Sequence, residues 1–103
     1  SSYNNSTYIT YNHDFTFLNV NAYWSGNYYY LVGEIRNDTA ATWKFVKPVV
    51  TFYNAASCPI HSDFTYAAAT ELAPGQKSTF SFMVWKEYLE GMNRYALKAE
   101  GWH

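Results

Sequence analysis

Short runs of aromatic and β-branched residues alternate along this chain with clusters of Gly, Pro, Asn, Asp and Ser. The runs fall at 7–11, 15–24, 28–37, 43–54, 59–70, 77–85 and 94–102. Strand-forming stretches divided by turn residues are the pattern of an all-β chain. Turn signals stand at Ser25-Gly26-Asn27, Asn37-Asp38-Thr39, Asn54-Ala55-Ala56-Ser57 and Ala73-Pro74-Gly75-Gln76. In the last, proline at the second position and glycine at the third specify a type II turn. Helical spacing occurs only over 85–94, where Gly91 interrupts Trp85, Tyr88, Leu89 and Met92, so at most one helical turn is expected. Short strands with no intervening helices predict an immunoglobulin-like antiparallel β-sandwich of about seven strands. The 103 residues suffice for one domain with its own core. We divide them into 1–13, an N-terminal arm or extra strand, and 14–103, the sandwich domain.

Successive side chains of a strand point to opposite faces. In 28–37, Tyr29, Leu31, Gly33 and Ile35 therefore share one face, and Tyr28, Tyr30, Val32, Glu34 and Arg36 the other. Gly33 then lies on the core face, where a missing side chain makes room for a large ring from the opposing sheet; a β-bulge is the alternative. In 43–54, Val46, Pro48, Val50 and Phe52 alternate with Trp43, Phe45, Lys47, Val49, Thr51 and Tyr53. Pro48 has no N–H to give a ladder, so a free edge or a bulge is expected there. The same reading of the later runs gives a core of Tyr29, Leu31, Ile35, Val46, Val50, Phe52, Leu72, Phe80, Phe82, Val84, Tyr95 and Leu97. Left facing outward are Tyr28, Tyr30, Val32, Trp43, Phe45, Val49, Tyr53, Met83, Trp85 and Trp102.

Composition sharpens that outward set. Aromatic residues make up 21% of the chain, 11 of them tyrosine, and charged residues only 15%. So many rings exceed what one small core hides, and contiguous exposed aromatics mark contact surfaces. The expected contact residues are Tyr28, Tyr30, Trp43, Tyr53, Trp85 and Trp102, with Tyr8 and Tyr11 on the arm. A net charge of −1 without a run of Lys or Arg argues against nucleic acid and anionic membranes. No apolar run approaches the length of a spanning helix. His13-Asp14 and His61-Ser62-Asp63 are the only imidazole–carboxylate neighbours, and Asp14, Asp38 and Asp63 stand apart from other acids. Phosphate loops, HExxH, CxxC and nucleophile elbows are lacking, so no catalytic residue, metal site or cofactor is expected. Cys58 is single and reads as a buried inert thiol, an intermolecular bridge being the alternative. Asn4, Asn5 and Asn37 head Asn-x-Ser/Thr sequons and are glycosylation candidates on export. The opening residues have no signal-peptide shape and no initiator Met, as expected of a mature exported form or an excised domain.

Three stretches resemble the FxLYD domain family, small immunoglobulin-like sandwiches. VGEIRN (32–37) is similar to the family's early strand ending in Gly-Glu-apolar-x-Asn. VTFYN (50–54) lies where the name-giving motif falls, with Val50, Phe52 and Asn54 in place of its Phe, Leu and Asp and Tyr53 unchanged. ELAPGQKSTFSF (71–82) resembles the Leu-x-Pro-Gly turn and the Phe-bearing strand after it. The resemblance covers 31–102 and implies a framework, nothing catalytic, and an exported or surface-attached setting. The expected function is a non-enzymatic extracellular or cell-surface structural module. It would act through contacts with copies of itself or with neighbouring surface domains, in one form as a filament subunit whose residues 3–13 add a strand to a neighbour. The alternatives are a carbohydrate-binding module using Trp24, Trp43, Trp85 and Trp102, with glycans as partners, and an inert spacer of a larger surface protein.

Overall fold

The structure, a computed structural model, describes residues 14–103. The arm, with Tyr8, Tyr11, Asn4, Asn5 and His13, lies outside the described residues. The chain folds into β1 (Phe15–Ser25), β2 (Tyr28–Asn37), β3 (Trp43–Asn54), β4 (Pro59–Phe64), β5 (Glu71–Leu72), β6 (Lys77–Trp85) and β7 (Met92–Trp102). One 3₁₀ turn, Lys86–Leu89, follows β6. The fold is an antiparallel all-β sandwich. One sheet has the order β1-β2-β6; in the other, β3 pairs with β4 and β5 along one edge and with β7 along the other. Every residue that alternation assigns to the core is buried. Phe15, Phe17, Val20 and Ala22 of β1 join the cluster, as do Ala67, Leu89 and Ala99.

The run 59–70 does not stay a strand. β4 ends at Phe64, and the chain then crosses from one sheet to the other. Ala67 N donates to Val46 O at 2.9 Å, and Ala68 N to Thr79 O at 2.9 Å, tying β3 to β6. This crossing also accommodates Pro48. Its carbonyl accepts from Thr65 N at 3.0 Å, just beyond the end of β4. A strand residue's N–H and C=O point to the same side, so the missing donor falls where no ladder continues.

Gly33 lies on the core face, but the ring above it is a neighbour's rather than one from the opposing sheet. A Cβ at Gly33 would sit 3.1 Å from Phe80 Cζ and 3.2 Å from Val20 Cα. Phe80 is the β6 partner of Gly33 in the same sheet, and Phe17 packs edge-on against it at 5.6 Å. The bulge exists too, in β1. Pairing with β2 breaks between Leu18 and Asn21, with Asn19 at φ +53°. Val20 bends into the space beside Gly33, and Ala22 follows it inward.

A second irregularity corrects the assignment of Trp43. Pairing of β3 with β7 breaks between Lys44 and Lys47, where Phe45 takes φ +51°. The extra residue reverses the alternation, so Trp43 faces in and Phe45 out. Trp43 meets Phe15 edge-on at 5.1 Å, and its Nε1 donates to Thr39 Oγ1 at 3.0 Å. It is a core-packing ring and not an outward contact residue.

Two further expectations are corrected. Cys58 is exposed, because it closes the β3–β4 turn at the surface. There Asn54 Oδ1 accepts from Ala56 N at 2.9 Å and Cys58 N at 3.0 Å. Asn37, the third sequon asparagine, has no exposure at all. Its Nδ2, the atom a glycan would occupy, donates to Ala41 O at 2.7 Å and Leu72 O at 2.8 Å. Its Oδ1 accepts from Thr39 N at 2.9 Å and Thr39 Oγ1 at 2.7 Å. Its backbone N–H donates to Gln76 O at 3.0 Å, and its carbonyl accepts from Gly75 N at 2.7 Å. Gly75 reaches that position at φ +78°, in the expected type II turn closed by Gln76 N to Ala73 O at 2.9 Å. Asn37 thus joins the end of β2 to two turns, and it is a structural residue rather than a glycosylation site.

Two substitutions check this packing. Gly33→Ala is expected to lower unfolding free energy by about 1–3 kcal/mol, since backbone at Val20 cannot give way freely. Asn37→Ala leaves buried carbonyls and an N–H unpaired, for a loss on the order of 3 kcal/mol. Urea denaturation of both variants measures these losses directly.

Candidate contact surface

Cross-strand register builds the outer face of the β1-β2-β6 sheet row by row. At one end Ser25, Tyr28 and Trp85 lie abreast, then Tyr23, Tyr30 and Met83, then Asn21, Val32 and Ser81. Leu18, Glu34 and Thr79 follow, and Thr16, Arg36 and Lys77 close the other end. The first two rows form a continuous aromatic strip. Tyr23 stacks on Tyr30 at 5.4 Å with 20° between the planes. Tyr28 leans on Tyr30 at 6.5 Å and 50°, and on Trp85 at 5.3 Å and 60°. Met83 is 56% exposed and Tyr23 44%, so the strip presents a thioether and a phenol outermost. Of the residues expected to make contacts, the structure brings together Tyr28, Tyr30 and Trp85.

Tyr23 escapes a reading by alternation. Counted from Phe17 without a bulge it would face the core; the extra residue at Asn19–Val20 turns it out. An asparagine inside an apolar run was the available signal, because asparagine accepts positive φ more readily than most residues. The other expected contact residues lie elsewhere. Tyr53 is on the outer face of the β3 sheet, with the Arg94 guanidinium 4.7 Å from its ring centre. Trp102 stands 71% exposed at the opposite end of that sheet.

Beyond the strip, the Val32 and Glu34 rows open into a groove of about 460 Å³ bounded by Tyr66, Ala68, Thr79 and Ser81. The far end is polar and cross-linked. Arg36 Nε donates to Asp38 Oδ1 at 2.6 Å, Thr16 Oγ1 donates to Asp38 Oδ2, and Asn19 Nδ2 to Glu34 Oε1 at 2.8 Å. The Arg36 hydrogen bond, then that of Thr16, holds the Asp38 carboxyl below its ordinary value. The histidine motif does not converge. His61 stacks on Tyr88 at 4.8 Å, while Asp63 Oδ1 accepts from the neighbouring Phe64 N–H. Among the described residues no three His, Cys, Asp or Glu side chains gather as metal ligands. No helix among them is long and apolar enough to cross a membrane.

No protein-family model matches this sequence, and neither does any curated protein. Among solved structures, the chain is similar to a DUF1425 family member from Shewanella sp. PV-4, a crystal structure at 1.81 Å. The TM-score is 0.54 at 10% identity, over 84% of this chain and 74% of that one. At that identity the likeness speaks to fold: both are β-rich domains of one general architecture.

Asp38 supplies a pH-dependent test of the polar end. A carboxyl held below its unfolded value stabilises above about pH 3.8, and the contribution is lost as pH falls through the lowered folded value. Asp38→Asn should therefore be less stable than the parent near neutral pH, with the gap closing in strong acid. Exposure of the pair keeps the difference small. Denaturation curves at both pH values measure it.

Proposed function

We propose that this protein is a non-enzymatic structural module that works by self-association through the outer face of its three-stranded sheet. One observation carries the reading: Tyr23, Tyr28, Tyr30, Met83 and Trp85 lie side by side on that face. Tyr, Trp and Met are the residues enriched at interface centres. Their tilt opposes a sugar platform. An extended glycan platform needs two or three coplanar rings, whereas Tyr23 and Tyr30 cover each other and their neighbours lean by 50° or more.

A second copy fits the face because its two ends are complementary. A two-fold axis across the strands at the Val32 row sets Tyr28 against the other copy's Arg36, and Trp85 against its Lys77. Cations on tyrosine and tryptophan faces attract. The same operation puts Val32 against Val32, a symmetric apolar centre. Size sets the strength. Three strands about 4.8 Å apart and some 30 Å long offer roughly 500 Å² per copy, at the low end of specific interfaces. The expected association is weak and depends on concentration.

The similarity of 32–37, 50–54 and 71–82 to FxLYD domains supports an exported or cell-surface setting for this module. Sedimentation velocity across a concentration series tests the proposal. A monomer–dimer equilibrium is expected, weakened about tenfold or more by Met83→Glu with thermal stability unchanged. A monomer at every concentration, or a dimer indifferent to Met83→Glu, overturns it.

A further inference from the structure

The bulge in β3 strains the backbone at Phe45, on the outer side of the β3–β7 pair. Phe45 is a bulky residue at φ +51°, a conformation that costs free energy and that structures retain mainly at functional positions. Its N–H donates to Thr70 O at 2.9 Å, which holds the bulge in place. The outcome is a ring 53% exposed, beside Tyr66 at 55% and Trp102 at 71%. Together with Lys47, Glu100 and Gly101 these rings line a cleft of about 230 Å³, separate from the aromatic strip. Among the described residues none of the three rings stacks on another; Tyr66 meets Phe64 edge-on at 5.9 Å, and Trp102 is the most open of the three.

The polar lining is already neutralised. Glu100 Oε1 lies 3.4 Å from Lys47 Nζ, and its Oε2 lies 3.5 Å from Lys98 Nζ. The carboxylate lies between two ammonium groups with lone pairs to spare, and Lys47 Nζ also sits 4.7 Å from the centre of the Phe64 ring. A purely apolar occupant would strip water from this pair and leave its remaining hydrogen bonds unmade. An ionic occupant would displace one of the two partners. A neutral ring with apolar C–H faces and a rim of hydroxyls satisfies both halves of the cleft: its faces lie on the aromatics, and its hydroxyls replace water at Lys47 and Glu100. The volume is below the usual range of about 300–1,000 Å³ for drug-sized ligands, which limits the occupant to one ring.

We propose that the cleft bounded by Phe45, Tyr66 and Trp102 binds a single pyranose unit of a neutral saccharide, with the Lys47–Glu100 pair reading its hydroxyls. Tyr66 also borders the groove at the Val32 row, so the two sites adjoin there, while Phe45, Lys47, Glu100 and Trp102 belong to the cleft alone. One stacked ring with a few hydrogen bonds corresponds to a dissociation constant on the order of 1 mM.

The test is a titration of the full chain with the methyl glycosides of glucose, galactose, mannose and N-acetylglucosamine, followed by two-dimensional NMR. At least one glycoside is expected to shift the Trp102 indole resonance saturably. Trp102→Ala, whose ring is largely solvent-exposed, should weaken binding about tenfold or more, read on the Gly101 and Lys47 amides, without lowering the melting temperature. Glu100→Gln should weaken it several-fold, and Met83→Glu should leave it unchanged, which separates this site from the association face. Silence toward all four glycosides, affinity unmoved by Trp102→Ala, or shifts caused only by raising protein concentration would each overturn the proposal. The last outcome would assign the cleft to a second copy of the chain.

Discussion

The absence of one side chain at Gly33 governs the register of the three-stranded sheet. Phe80 and the Val20 backbone both approach within 3.2 Å of the place a Cβ would fill. Neither could do so over any larger residue. Because Val20 comes in there, β1 carries one residue more than its partner, and every side chain after it changes face. Ala22 enters the core, and Tyr23 emerges beside Tyr30. The place of Tyr23 in the aromatic strip is therefore a result of close packing on the other surface.

The second bulge works in the same way on the facing sheet. It sends Trp43 into the core against Phe15, while Phe45 stays outward in the cleft beside Trp102. Asn37 then closes the end of the sandwich, replacing water at the turn carbonyls with its own amide. A buried asparagine satisfied at all these positions adds directional bonds that a hydrophobic core lacks, so it fixes which turns meet. The irregular positions of this fold, rather than its regular strands, decide what reaches the surface.

That division also explains what could be read from the sequence. Period-two alternation identified the regular strands and their buried face, since the pattern repeats through Leu31, Val50, Phe82 and Leu97. The Pro74-Gly75 turn was equally plain, because each residue imposes its own φ. Alternation fails wherever an extra residue enters. Trp43 reads as outward for that one reason, the place of Tyr23 is hidden by the same one, and neither bulge has a strong signature in composition. The sequon at Asn37 misled for a different reason. Three residues describe what a glycosyl transferase accepts, but they carry no information on whether the amide is already bonded within the fold. Nor did the sequence show that the run 59–70 breaks at Phe64, a break set by the need to cross between sheets.

In the proposed dimer two copies meet through the Tyr23–Trp85 face in antiparallel fashion, each aromatic end upon the other's cationic end. Intermolecular paramagnetic broadening tests it most directly. Copies carrying Cys58→Ser and a spin label at Ala40→Cys, in the exposed turn beyond the Arg36 end of the face, would be mixed with isotope-labelled copies that carry no spin label. Broadening concentrated on the Trp85 indole and the Tyr28 amide of the unlabelled-spin copies is the predicted result. Broadening absent, or centred on the β3–β7 sheet, would contradict it.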